Sequence, residues 1–118
     1  EQVQATVAAA PQTAVLAAAP HGVSAQLIDA LLAHAEAAGA RPVVVDISAD
    51  YRFADLDAYA RVYKHPHGAP RRAAEFTCAV PEHLAASPTP HVAHPGCFST
   101  ATLLAVVPLL KLGLIEPE

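Results

Sequence analysis

Residues 94–100 read HPGCFST and set Cys97 directly after a Pro-Gly turn and directly before an apolar run of helical character. A thiol attacks as its thiolate. A free cysteine titrates at about 8.5 and is mostly protonated at neutral pH, so a nucleophilic cysteine needs surroundings that favour negative charge. The start of a helix supplies them, because unpaired N–H groups and the positive end of the macrodipole stabilise an anion and offer donors to an oxyanion. Gly96 has no side chain to obstruct a carbonyl approaching the sulfur, and Ser99 and Thr100 place hydroxyls in the first turn. The pattern points to acyl chemistry on sulfur and leaves open that Cys97 is a small buried hydrophobe. Cys78, midway along FTCAV, fits that structural role, buried within a strand.

The elements that must hold Cys97 follow from pattern. TAVLAAAP (13–20) is an apolar run closed by proline and suits a buried strand of a parallel sheet. In HGVSAQLIDALLAHAEAAG, the residues Leu27, Ile28, Leu31, Leu32 and Ala35 recur with a helical period, and Gly39 stands where a left-handed cap would end the helix. PVVVDIS (42–48) is β-branched and apolar, so strand, helix and strand form a βαβ unit. A short helix is expected over 55–63, then a long loop over 65–75 and two short strands in FTCAV (76–80) and HVAH (91–94). Pro108 either bends the helix that starts at Cys97 or restarts it. Residues 1–12 read as a strand remnant or a loop closed by Pro11. The fold class expected is α/β, a parallel Rossmann-like βαβ core leading into the start of a catalytic α+β domain.

Composition narrows the partners. The 118 residues carry a formal net charge of -4, which offers no basic field for nucleic acid or an anionic membrane surface. No apolar run reaches the ~20 residues of a membrane span, and EQVQAT lacks the order of a secretory signal, so a cytoplasmic setting with two free thiols is expected.

Several segments read together resemble one family. PHGVSAQL (20–27), VVDISADYRF (44–53), AYARVYKHPH (58–67), AVPEHL (79–84) and HPGCFSTATLLAVVPLLKLGLIEP (94–117) occur in the order found in N-acetyl-gamma-glutamyl-phosphate reductases of the semialdehyde dehydrogenase superfamily. The resemblance implies an NADP(H)-dependent enzyme of arginine biosynthesis that reduces a small-molecule acyl phosphate to an aldehyde and releases phosphate. Cys97 would be the nucleophile and would carry the acyl group as a thioester. Pro20, His21, Gly22, Ser48, Ala49 and Gly96 would lie beside the cofactor, and Arg52 and Ser99 beside the substrate. A guanidinium suits two phosphate oxygens at once, although Arg52 could instead pair with Asp50 or Asp55.

The sequence departs from that family where His94 replaces a usual asparagine, where Phe98-Ser99 replaces Tyr-Pro, and where AVPE resembles the lysine-pathway reductase of carrier-linked aminoadipyl phosphate. The glycine-rich pyrophosphate turn and the family's general acid or base histidine have no counterpart here. A central fragment is therefore expected, inactive alone and homo-oligomeric at full length, with residues 1–76 ending the NADP-binding domain and 77–118 starting the catalytic domain. Two other classes stand beside this reading. One is a non-catalytic binding module, and the other is a metal-binding domain in which His91, His94 and Cys97 join Cys78, His65 or His67. No zinc-finger spacing repeats in the sequence, so no metal is expected, and His21, His34 and His83 are expected to be solvated or capping residues.

Overall fold

The chain opens with α1 (Gln2–Ala9) in a computed structural model that describes residues 1–10, 12–84 and 86–117. A strand remnant or loop was expected over this segment. The alanine-rich QVQATVAA is instead a good helix former, and its Val7 is buried against Leu31, Ala35 and Ala40. Pro11, expected to close the segment, lies outside the described residues.

The βαβ unit follows as expected. β1 (Ala14–Ala17) pairs in parallel with β2 (Val43–Asp46), Val15 opposite Val44, and α2 (Ser24–Ala37) connects them. Ile28, Leu31, Leu32 and Ala35 are buried on the inner face of α2, whereas Leu27 falls off the stripe and is exposed. The helix ends as its glycine predicts: Gly39 has φ 71, its N–H donates to the Glu36 carbonyl, and the Ala40 N–H donates to the Ala35 carbonyl at 2.8 Å. β1 itself is a correction, because it lies at the edge of the sheet with Leu16 70% exposed. An apolar run shows that a strand is compatible with burial and does not say which neighbours cover it.

Past β2, the short helix α3 (Leu56–Tyr63) is capped by the Asp55 carboxylate, which accepts from the N–H groups of Asp57 and Ala58, and it ends at Lys64 in the left-handed conformation. A 3-10 turn over Pro70–Glu75 leads into β3 (Phe76–Cys78). β4 (His91–Ala93) then inserts between β2 and β3, giving a four-stranded, all-parallel sheet in the order β1-β2-β4-β3. The expected α/β, Rossmann-like core is present. Its centre is made by Ile28, Leu32, Val44, Ala93 and Tyr51, whose ring stacks on Phe76 at 3.8 Å. Each buried aliphatic or aromatic side chain contributes about 1.5–3 kcal/mol to such a core.

α4 (Cys97–Lys111) closes the described fold, and Pro108 stands inside it without ending it, since the Leu112 N–H donates to the Pro108 carbonyl. None of its residues is buried, and Phe98 is 87% exposed. No helix among the described residues is long and apolar enough to cross a membrane. Because all four strands run the same way, the loops after β1, β2, β3 and β4 share one rim of the sheet, where open parallel sheets bind ligands.

Candidate active site

Cys97 is the first residue of α4 and is exposed, not packed into a core. Both cysteines are free thiols. The turn that presents Cys97 is braced from two directions. The His94 N–H donates to the Asp46 carbonyl at 2.8 Å, extending the pairing of β4 with β2, and the Gly96 N–H donates to His94 Nδ1 at 3.1 Å. Since Nδ1 accepts that bond, the proton of neutral His94 sits on Nε2, where it faces Thr100 Oγ1 at 3.3 Å. One imidazole thus ties the turn to the first turn of the helix. The Thr100 N–H donates to the Gly96 carbonyl, so the N–H groups of Cys97, Phe98 and Ser99 are the ones that helix geometry leaves without an intrahelical acceptor. The Ser99 side chain is exposed beside them.

Arg52 completes this corner. Its Nε donates to the His94 carbonyl at 3.0 Å and its Nη2 to the Ile47 carbonyl at 3.4 Å, which lays the guanidinium flat against Gly96. Gly96 has φ 99, which favours glycine, and a β-carbon there would lie 3.1 Å from guanidinium atoms, a tight contact that would push on the Arg52 side chain. The alternative ion pairs of Arg52 do not form. Asp50 is occupied elsewhere, and Asp55 caps α3 and lies 3.7 Å from Arg61. The remaining guanidinium donors have no protein acceptor among the described residues.

The loops after β1 and β2 are locked by two buried carboxylates. Asp46 accepts from Ser24 Oγ at 2.8 Å, from the Ser48 N–H at 3.1 Å and from Ser48 Oγ at 2.7 Å, and Ser48 Oγ in turn accepts from the Asp50 N–H. Asp50 accepts from the N–H groups of Gly22 and Ala25, both at 2.9 Å, from His21 Nδ1 at 2.6 Å and from Tyr59 Oη at 3.3 Å. Burial alone would raise the Asp50 pKa. The Gly22 and Ala25 N–H groups and His21 outweigh it and hold the carboxyl below its ordinary value. Asp50 therefore caps α2 from a distant loop, and it fixes the Pro20-His21-Gly22 turn, whose Pro20 carbonyl accepts from Val23 and Ser24. The Ser48 hydroxyl is used inside this network, while Ala49 is half-buried on the rim next to it.

Cys78 is a correction. It ends β3 rather than lying within it, because the strand stops before Ala79 and Val80, and it is exposed. The desolvation of its surroundings raises the thiol pKa, opposed in part by the Arg52 charge. His91, His94 and Cys97 do not converge: His91 is buried with Nδ1 accepting from the Val44 N–H at 3.3 Å, and among the described residues no three metal-ligating side chains gather. His21 is bonded to Asp50 and is no solvated bystander, and His83 Nε2 reaches the Leu103 carbonyl of α4.

Sequence reasoning passed over His94 as a brace, Asp50 as a hub and Arg72. The last binds Asp29, Glu36 and Glu75 and fastens the 3-10 turn to α2. The alternation in Asp46-Ile47-Ser48-Ala49-Asp50 was the available signal for the hub, since Asp and Ser at such spacing bond their own backbone two residues on.

No protein-family profile matches the chain. It is 42% identical over 104 residues to the N-acetyl-gamma-glutamyl-phosphate reductase of Ectopseudomonas mendocina, covering 86% of this chain and 28% of that protein. Its identity to the reductase of the same name from Marinobacter nauticus is 40% over 105 residues, and to that from Nitrosococcus oceani 38% over 106 residues, in each case 29% of the relative. The resemblance seen in the ordered segments thus extends over most of the chain, and the chain spans little more than a quarter of the length of the curated relatives it matches.

Proposed function

We propose that the chain carries the nucleophile-bearing part of an N-acetyl-gamma-glutamyl-phosphate reductase, residues 1–76 ending the nucleotide-binding domain and 77–118 beginning the catalytic one. The observation that supports this most directly is the seating of Cys97. It is exposed at the first position of α4, behind a glycine whose open face is occupied by an arginine with donors to spare.

In this reading the Cys97 thiolate attacks the acyl-phosphate carbonyl, the carbon–oxygen bond to phosphate breaks, and the acyl group remains on sulfur as a thioester. The free N–H groups of the first turn of α4 hold the oxyanion that develops on the carbonyl oxygen. The unused guanidinium donors of Arg52 hold the departing phosphate, and the Ser99 hydroxyl contacts the acyl chain. The Pro20-His21-Gly22 turn, in which Gly22 adopts φ 82, together with Ala49 and Gly96, would hold the nicotinamide end of NADP(H) at this rim of the sheet. When bound, that cofactor supplies the hydride that converts the thioester to the aldehyde and returns the thiolate to Cys97. Ser48 acts on this rim through the position of its backbone, its hydroxyl being bonded to Asp46.

Pyrophosphate and the general acid or base need residues that the 118 do not supply, so the chain alone forms the acyl adduct without turning over. Incubating it with acetyl phosphate, a simple acyl phosphate, is expected to give a hydroxylamine-labile mass gain of one acetyl group on Cys97 with release of phosphate. Absence of that adduct, with Cys97 free and the chain folded, overturns the assignment. In the full-length enzyme, phosphate-dependent oxidation of N-acetylglutamate semialdehyde is expected to exceed that of its aminoadipate homologue, as the names of the relatives indicate.

A further inference from the structure

His21 and His65 come together on the α3 side of the rim, with their Nε2 atoms 3.3 Å apart. Each ring has its other nitrogen committed. His21 Nδ1 lies 2.6 Å from the carboxylate of Asp50, and His65 Nδ1 lies 3.0 Å from the Pro66 carbonyl. Both partners are pure acceptors, so both Nδ1 atoms carry the proton. In the neutral rings the two Nε2 lone pairs then face each other, an arrangement that repels unless a cation stands between them.

We propose that His21 and His65 form a binding site for a divalent transition ion of the zinc type. Three features favour a metal. Nitrogen ligands at about 2.0–2.1 Å in tetrahedral geometry lie about 3.3 Å from each other, which is the observed separation. A proton shared at that distance makes only a weak hydrogen bond. Each ring is also oriented through its second nitrogen by a carboxylate or a backbone carbonyl, the outer arrangement that metal-bound histidines use to fix tautomer and direction. The pair is rigidly mounted: Asp50 is fully buried, and the His21 ring packs on Tyr63 at 4.2 Å and near Tyr59 at 6.0 Å. The side chain of His21 is 34% exposed, so an ion can reach it from solvent.

The protein supplies two donors, and water or a ligand oxygen would fill the other positions. This makes the site open rather than structural, and imidazole donors select zinc, nickel, cobalt or copper over magnesium or calcium. The proposal rests on the two imidazoles and not on the chemistry at Cys97, in which neither has a step, although His21 also belongs to the turn assigned to the nicotinamide rim.

Titration of the chain with Zn2+ at neutral pH, followed by calorimetry and by imidazole nitrogen NMR, tests it. One ion per chain is expected, moving the Nε2 resonances of His21 and His65 and leaving their Nδ1–H groups in place. Cys78→Ser with Cys97→Ser retains this binding. His65→Ala, which leaves the Asp50 network intact, weakens it at least tenfold, and His21→Gln does the same. The proposal is overturned if no ion binds, or if binding survives His65→Ala or His21→Gln.

Discussion

The guanidinium of Arg52 lies tightly against Gly96, 3.1 Å from where a β-carbon would stand. Two loops are joined by this contact. Arg52 follows β2 and Gly96 precedes Cys97, and the Arg52 bond to the His94 carbonyl fixes their separation.

Gly96→Ala should therefore act on the site more than its size suggests. It places a β-carbon at φ 99 and against the guanidinium, a strain on the order of 1–3 kcal/mol. The expected outcome is a lower urea midpoint together with slower alkylation of Cys97. Unchanged stability and unchanged reactivity would show that the turn is not built around this contact.

The two thiols should separate kinetically. Cys97 is exposed beside unbonded helix N–H groups, while the surroundings of Cys78 push its pKa up. With iodoacetamide at a pH of about 6.5, Cys97 is expected to be modified well before Cys78, and Cys97→Ser should remove the fast phase seen by mass spectrometry. Equal rates at the two positions would count against an activated nucleophile.

Asp50 should dominate the acid limb of stability. Its pKa is lowered in the fold, so the stabilisation it gives is complete above the unfolded value, about 3.9, and is lost as pH falls below that value toward the folded one. Asp50→Asn removes the charge that faces His21, Gly22 and Ala25, at a cost of about 2–3 kcal/mol at neutral pH. Denaturant midpoints measured between about pH 3 and pH 7 should fall less steeply in the variant than in the parent chain.

Much of this arrangement was legible beforehand because it depends on local grammar. The period of α2, the Gly39 cap, the β-branched run of β2 and the Pro-Gly entry to Cys97 all declare themselves within a few residues. Burial was less legible. The exposure of Leu16 and Cys78 and the absence of buried residues along α4 depend on which neighbours cover them, and that information is not in their own sequence. Long-range polar partners were the least visible: Asp50 reaching Ala25, Arg72 reaching Glu36 and His21 meeting His65 join residues 25–44 positions apart, where no spacing rule applies.

His91 offers a pH-dependence of the opposite charge type, coupled to Arg72. Burial is the largest influence on His91 and lowers its pKa. The nearby carboxylates of Glu75 and Glu36 oppose this, and the Arg72 cation adds to it. The unfolded chain takes up a proton at about 6.5 while the native ring resists it, so unfolding free energy should decline as pH falls below that value and level off once the lower native pKa is passed. His91→Gln removes the titrating group and should flatten this part of the profile. Arg72→Met acts differently. It loses the ties to Asp29, Glu36 and Glu75, which lowers stability, and it also removes the cation that discourages protonation of His91. The native His91 pKa should then rise toward the unfolded value, so the less stable variant should show the weaker pH-dependence. A profile that keeps the parent's slope in Arg72→Met would mean that the Arg72 charge does not act on His91.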